Sequence, residues 1–162
     1  MNPNPRRPIV PAGYGISTEP PADADWSAVA AKIAASRNYW IASTRDDGRP
    51  HAMPVWGVVV DGALYFGTDP KSVKGCNLAA RPAAVVHLES GDDVVVLEGD
   101  VLPVTDRAIL ARYADAYDAK YNFRPDPSEP NAITLTLRPS VCHTWIESDF
   151  PNTAIRWTFP EP

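Results

Sequence analysis

Two periods run through the chain. Trp26, Val29, Ala30, Ile33 and Ala34 fall at helical spacing behind Asp25, a good N-cap, so a helix with one apolar face is predicted over residues 26–37. From Tyr39 the pattern changes to short extended runs at 39–45 and 50–60, separated by the turn Asp46-Asp47-Gly48-Arg49. The dipeptide Asp61-Gly62 then separates two apolar runs, and both residue types tolerate positive φ. A type I′ hairpin is predicted there, pairing 58–60 with 63–68. Asp69-Pro70 reads as N-cap and first residue of a short helix to Ala80, closed by Pro82. Strands follow at 83–88 and 94–104 around a Gly91-Asp92-Asp93 turn. Thr105 is the expected cap of a helix over 106–121 whose stripe Ile109, Leu110, Tyr113 and Tyr117 faces a core. After a proline-rich loop at 122–131, Ile133, Leu135 and Leu137 alternate as in an edge strand, and 141–146 forms a further one. Six or seven hairpin-connected strands with three inserted helices predict a mainly β fold, a closed or partly closed antiparallel barrel.

Composition adjusts this picture at the ends. Residues 1–25 hold six prolines with Gly13 and Gly15, which suits an arm or a disordered leader, leaving 26–162 as one barrel domain. A net charge of −5 without a Lys/Arg cluster argues against a nucleic-acid partner. No apolar run reaches the length of a membrane span and no export signal stands at the start, so a cytoplasmic location is expected, with no membrane partner. Cys76 and Cys142 are expected to be two free, buried thiols.

The stretch from Phe66 to Leu78 carries the most chemistry. A strand ends at Gly67 and Thr68 and passes into a helix bearing Ser72 and Lys74, with Asn77 one turn on. Such a junction can hold a phosphate, through free N–H groups and the positive end of the helix dipole, two hydroxyl donors and a lysine. The same residues equally suit the solvated face of a short helix. His51, His87, His143 and the cysteines lack metal-ligand spacing, and no metal site is expected. Glu98 and Asp100 share a strand face, where carboxylates on the wet side of a sheet are commonplace.

The order of elements resembles the pyridoxamine 5'-phosphate oxidase-like superfamily, the FMN-binding split barrels, from about Trp26 to Trp157. The pieces that carry the resemblance are Gly48-Arg49-Pro50-His51, Met53-Pro54-Val55-Trp56, Thr68 with Ser72 and Lys74, Asn77-Leu78-Ala79-Ala80-Arg81-Pro82, Glu98-Gly99, Pro139 and Trp145. The resemblance implies a split β-barrel with Greek-key-like strand order. It also implies a homodimer with a nucleotide cofactor at the subunit interface. It puts Gly67, Thr68, Ser72, Lys74 and Asn77 at the cofactor phosphate and Met53, Pro54, Val55 and Trp56 beside the ring, with backbone N–H groups of 54–57 available to the ring carbonyl. Trp56 could equally be plain core. On the substrate side stand His51, which could as well be a solvated residue at a strand start, and Arg156 and Trp157.

Departures from that pattern redirect the expected activity. True pyridoxamine-phosphate oxidases carry an Arg in place of Met53, a Lys in place of Val58, an Arg in place of Val73 and a C-terminal Arg-x-His motif. Their loss argues against vitamin B6 oxidation. The chain is most similar to the actinobacterial flavin/deazaflavin-dependent oxidoreductase branch, in Ser72-Val73-Lys74 and in Thr153-Ala154-Ile155-Arg156-Trp157. That similarity implies coenzyme F-420 as hydride donor to an unsaturated or electrophilic small molecule, with FMN as the alternative cofactor. A non-catalytic flavin, deazaflavin or heme carrier is the rival class.

Overall fold

The computed structural model describes residues 2–126 and 128–160. Its strongest turn forms as the chemistry dictates. Asp61 and Gly62 take φ values of 51° and 80°, and the hairpin they close joins β3 (Pro50–Val60) to β4 (Ala63–Thr68), with Val60 opposite Ala63 and Gly57 opposite Phe66. With β1 (Asn4–Arg6), β2 (Asn38–Thr44), β5 (Ala83–His87), β6 (Asp93–Pro103), β7 (Ile133–Ile146) and β8 (Ile155–Thr158), the strand order is β1-β8-β7-β4-β3-β2-β5-β6. A further β6–β7 pairing closes six of these strands into an antiparallel barrel, and β8 and β1 extend the sheet from the far half of β7. The expected mainly β split barrel is therefore the fold. Its helices are α1 (Trp26–Ala35), α2 (Val73–Ala80), α3 (Arg107–Tyr121) and α4 (Phe150–Thr153). No helix among the described residues is long and apolar enough to cross a membrane.

Strand alternation sorts the apolar residues into two clusters. Tyr39 and Ile41 of β2, Leu64 and Phe66 of β4, Val86, Leu97, Leu137 and Trp157 fill the barrel interior, with Val29 and Ile33 of α1 packed onto them. Val58, Val60 and Tyr65 point the other way and are covered by Tyr113 and its neighbours on α3. One consequence is directional: odd-numbered residues of β3 face inward and even-numbered ones outward.

Several expectations are corrected. The proline-rich leader is ordered at its start: β1 pairs with β8, an edge position where the missing N–H of Pro5 is tolerated. Arg7 ties the arm down, donating to Ser17 Oγ at 2.7 Å and to the carbonyls of Glu19, Asn152 and Ala154. The two strands expected after residue 132 are one continuous β7, pairing with β4, β6 and β8 rather than forming an edge. Its interruption at Pro139 is absorbed by a register shift opposite Glu98 and Gly99. α2 begins at Val73, capped by Ser72, because the Asp69 carboxylate is spent on the Lys71 N–H of the preceding turn. α3 is capped by Asp106, whose Oδ1 accepts from Ala108 and Ile109, and not by Thr105. Cys142 is free and buried as expected, whereas Cys76 is exposed.

Candidate functional site

β4 delivers the chain to one end of the barrel, and α2 turns back across it. Ser72 Oγ accepts from the Gly75 N–H at 3.0 Å, donates to the Asp69 carbonyl at 2.7 Å and lies 3.1 Å from Thr68 Oγ1. Its hydroxyl proton serves the turn, so the Thr68 hydroxyl is left to donate to Ser72. Gly75 is required here, since a Cβ would overlap the Asp69 carbonyl and come within 2.8 Å of Pro70 O. The N–H groups of Val73 and Lys74, the first two of the helix, have no acceptor among the described residues. The Lys74 ammonium is half-buried and pushed below its ordinary value by burial, and no acceptor or carboxylate meets it among the described residues. An ammonium stripped of water without a counter-charge, beside two open N–H groups, is an arrangement that an anion completes.

Behind α2 lies a polar layer that closes the barrel interior. Ser43 and His51 face each other across β2 and β3. Buried Asn77 donates from Nδ2 to Ser43 Oγ at 3.0 Å, and Ser43 Oγ donates to the His51 carbonyl at 3.5 Å. His51 is 9% exposed and its Nδ1 has no hydrogen-bond partner. The alternative of a solvated histidine at a strand start is thereby corrected: register with Ser43 turns the ring inward. Sequence reasoning passed over Ser43, although a polar residue at the third inward position of Tyr39-Ile41-Ser43 signals a polar barrel end.

The split runs beside this end. β4 pairs with β3 only as far as Gly57, so the 50–56 stretch of β3 has β2 on one side and no strand on the other. Counting from the hairpin, the backbone groups of even-numbered residues face the open edge, which is where Pro54 can omit its N–H. Met53 and Trp56 are 49% and 40% exposed there. Gly67 points away from the junction toward α3, where a Cβ would meet the Tyr113 hydroxyl at 3.1 Å.

Trp56 is neither core nor open wall. Its ring stacks on Tyr121 at 4.7 Å, with the Arg37 guanidinium 5.5 Å from its centroid. The one hydroxyl proton of Tyr121 is shared between the carbonyls of Arg37 and Gly57, 2.6 and 2.7 Å from Oη, which also accepts from the Gly57 N–H. That N–H was expected to serve a ring carbonyl and is instead occupied by α3. Lys120 donates to Gly57 O at 2.9 Å and to Tyr39 Oη at 3.0 Å. These α3 contacts escape sequence reasoning because nothing local shows that β2 stops short of Gly57.

The other candidates disperse. Trp157, expected on the substrate side, is 2% exposed in the barrel core, packs edge-on to Trp26 and donates to Thr144 Oγ1 at 2.9 Å. Alternation along β8 sends Trp157 inward and Arg156 outward. Glu98 lies 3.6 Å from His143, and Asp100 3.9 Å from Arg138, so they do not form a carboxylate pair. Among the described residues no cluster of metal-ligating side chains occurs.

The family profile described as "Pyridoxamine 5'-phosphate oxidase" matches residues 26–145. No curated protein matches the sequence. Among solved structures, a conserved hypothetical protein of Mycobacterium tuberculosis superposes with TM-score 0.68 and 24% identity, over 80% of this chain and 90% of that one. A heme binding protein of Mycobacterium smegmatis gives 0.62 and 22%, over 76% of this chain and 55% of that one. A protein titled F420 Reductase gives 0.56 and 19%, over 68% and 93%. At these identities the likeness is one of fold.

Proposed function

Because the chain belongs to the pyridoxamine 5'-phosphate oxidase family, we propose that it is an oxidoreductase which binds reduced coenzyme F-420 and passes hydride to an unsaturated or electrophilic small molecule. The observation that carries this reading is Lys74: a half-buried ammonium without a counter-charge, at the start of a helix with two open N–H groups, fits the phosphate of a nucleotide-like cofactor. The name of the F420 reductase that shares the fold supports the choice of cofactor. So does the absence of cations at Met53 and Val73, both exposed beside the junction, which removes charges that would anchor FMN. Val58, the third such position, lies beneath α3 and is buried at 2%.

When bound, the deazaflavin supplies the hydride. Lys74 and the Val73 and Lys74 N–H groups would hold its phosphate, and the open edge of β3 at 52–56 would border its ring. Met53, half exposed beside that edge, would present apolar surface that excludes water.

A homodimer is part of the proposal. The outer face opposite α3 carries Trp40, Ala42, Val85, Val96 and Val141 across β2, β5, β6 and β7, interleaved with His87, Glu98 and His143, with no element over them among the described residues. Val96→Asp is expected to convert a dimer to a monomer in light scattering.

The cofactor is tested by titrating the protein with coenzyme F-420 and with FMN, following fluorescence and retention on dialysis. F-420 binding weakened in Lys74→Ala by about 1.5–3 kcal/mol, the range for hydrogen bonds to a charged group, supports the reading. Tight retention of FMN with no binding of F-420 overturns it. Binding of F-420 with no oxidation of its reduced form by enones or quinones makes the protein a carrier.

A further inference from the structure

Three arginines meet where β1 crosses β8, and only one of them is satisfied. The Arg7 guanidinium makes five hydrogen bonds, to Ser17 Oγ twice and to three carbonyls, and so fixes the arm as a wall. Arg6 and Arg156 stand directly opposite each other in the β1–β8 register, hence on one face of the sheet. Neither makes a side-chain hydrogen bond or an ion pair among the described residues. Like charges in directly opposed cross-strand positions repel. His143 continues the row, opposite Arg156 on β7. Its imidazole is lowered chiefly by burial, with Glu98 opposing and the Arg156 guanidinium adding to the fall.

The row opens into a trough of about 960 Å³. Arg6, Arg156, Asn4 and Thr158 lie on its floor, and Ile9 and the 18–20 segment form its side. Glu19 is the one carboxylate in that lining and pairs with neither arginine within 4.0 Å. Two opposed guanidinia with their donors unspent, half-enclosed by a wall that a third arginine holds in place, match the fork geometry of an oxyanion.

We propose that this trough is a binding site for the phosphate or carboxylate group of a small molecule, held between Arg6 and Arg156. It is separate from the junction at Lys74, since it lies on the outer face of β8 and β1, and it does not rest on the cofactor assigned there. The anion joins two charges that otherwise repel and locks β1 onto β8.

The test is calorimetric titration of the full chain with inorganic phosphate and, in a second arm, citrate, at ionic strength held constant with chloride. Binding of either anion to the Lys74→Ala protein, in which the junction is silenced, weakened at least tenfold when Arg6→Glu or Arg156→Gln is added, supports the site. The arm that binds tells phosphate from carboxylate recognition. Absence of binding in Lys74→Ala, or its retention when Arg6→Glu is added, overturns it. Arg6→Glu also replaces a repelling pair by an attracting one. Without added anion its melting temperature is expected to rise, and a fall would show that the two guanidinia do not oppose each other.

Discussion

Lys74 and Lys120 begin as the same problem and end as opposites. Both are half-buried, and burial pushes both ammonium groups below their ordinary value. Lys120 is surrounded by oxygens, with donors on Gly57 O, Tyr39 Oη and Ala34 O, and it lies 5.0 and 5.3 Å from the ring centroids of Tyr39 and Tyr121. Lys74 has no such partner among the described residues. The fold spends the first charge on its own integrity: with Tyr121, it replaces the strand that β2 fails to supply beside Gly57. The second is held at a desolvation cost, and the proposed anion site rests on that difference.

The contrast can be attacked in order of size. Gly75→Ala strikes the Lys74 side at its backbone. The added methyl meets the Asp69 and Pro70 carbonyls, so a loss of about 3 kcal/mol, the upper end for overpacking, is expected in urea unfolding, with loss of cofactor binding. Lys120→Met is expected to cost about 1.5–3 kcal/mol in the same assay. Lys74→Met should cost no stability, because it removes a charge held at a desolvation cost, while losing affinity for F-420; equal costs for the two lysines would dissolve the distinction. Tyr121→Phe removes one shared hydroxyl and is expected to cost about 1 kcal/mol, with the fluorescence of Trp56 shifting as its stacking loosens.

The smallest effect is in pH. A lysine lowered on folding leaves the unfolded chain holding protons that the folded chain has released, so its penalty shrinks as pH rises through the lowered value toward 10.5. Cys142 and Tyr117 act with the opposite sign. Burial first pushes both up to about 12, so the stability they contribute is full below 9.0 and 10.0 and is lost above. The difference between wild type and Lys74→Met cancels them, and it should narrow from pH 8 to pH 10 in urea titrations. A difference that is constant with pH would show that Lys74 is not desolvated.

What was legible in the chain was whatever a residue settles with its neighbours. Asp61-Gly62 determines a hairpin by φ alone, and Asp25 caps α1 through the Ser27 N–H, 2.8 Å away. Local rules failed where two residues competed for one role, as Asp69 and Ser72 did for the cap of α2. They failed also where a partner distant in sequence decided the outcome. Trp157 and Arg156 are adjacent, and only the pairing of β8 with β7 says which of them enters the core. His51 owes its burial to Ser43 across the sheet. The junction of β4 and α2 was visible as a composition of donors, whereas its central feature, a lysine without a partner among the described residues, is a statement about everything around it.

The clasp of β1 on β8 has a kinetic meaning. Thr158 Oγ1 donates to Asn4 O across 154 residues of sequence, so this pairing closes one of the longest loops in the chain and repays its entropy with three residue pairs. By contact order such a contact is expected to assemble late and to open early, which amide exchange in β1 ahead of the barrel strands would show. The arginines that line the trough face each other only where β1 is docked on β8, so the trough shares the stability of that clasp and not that of the barrel.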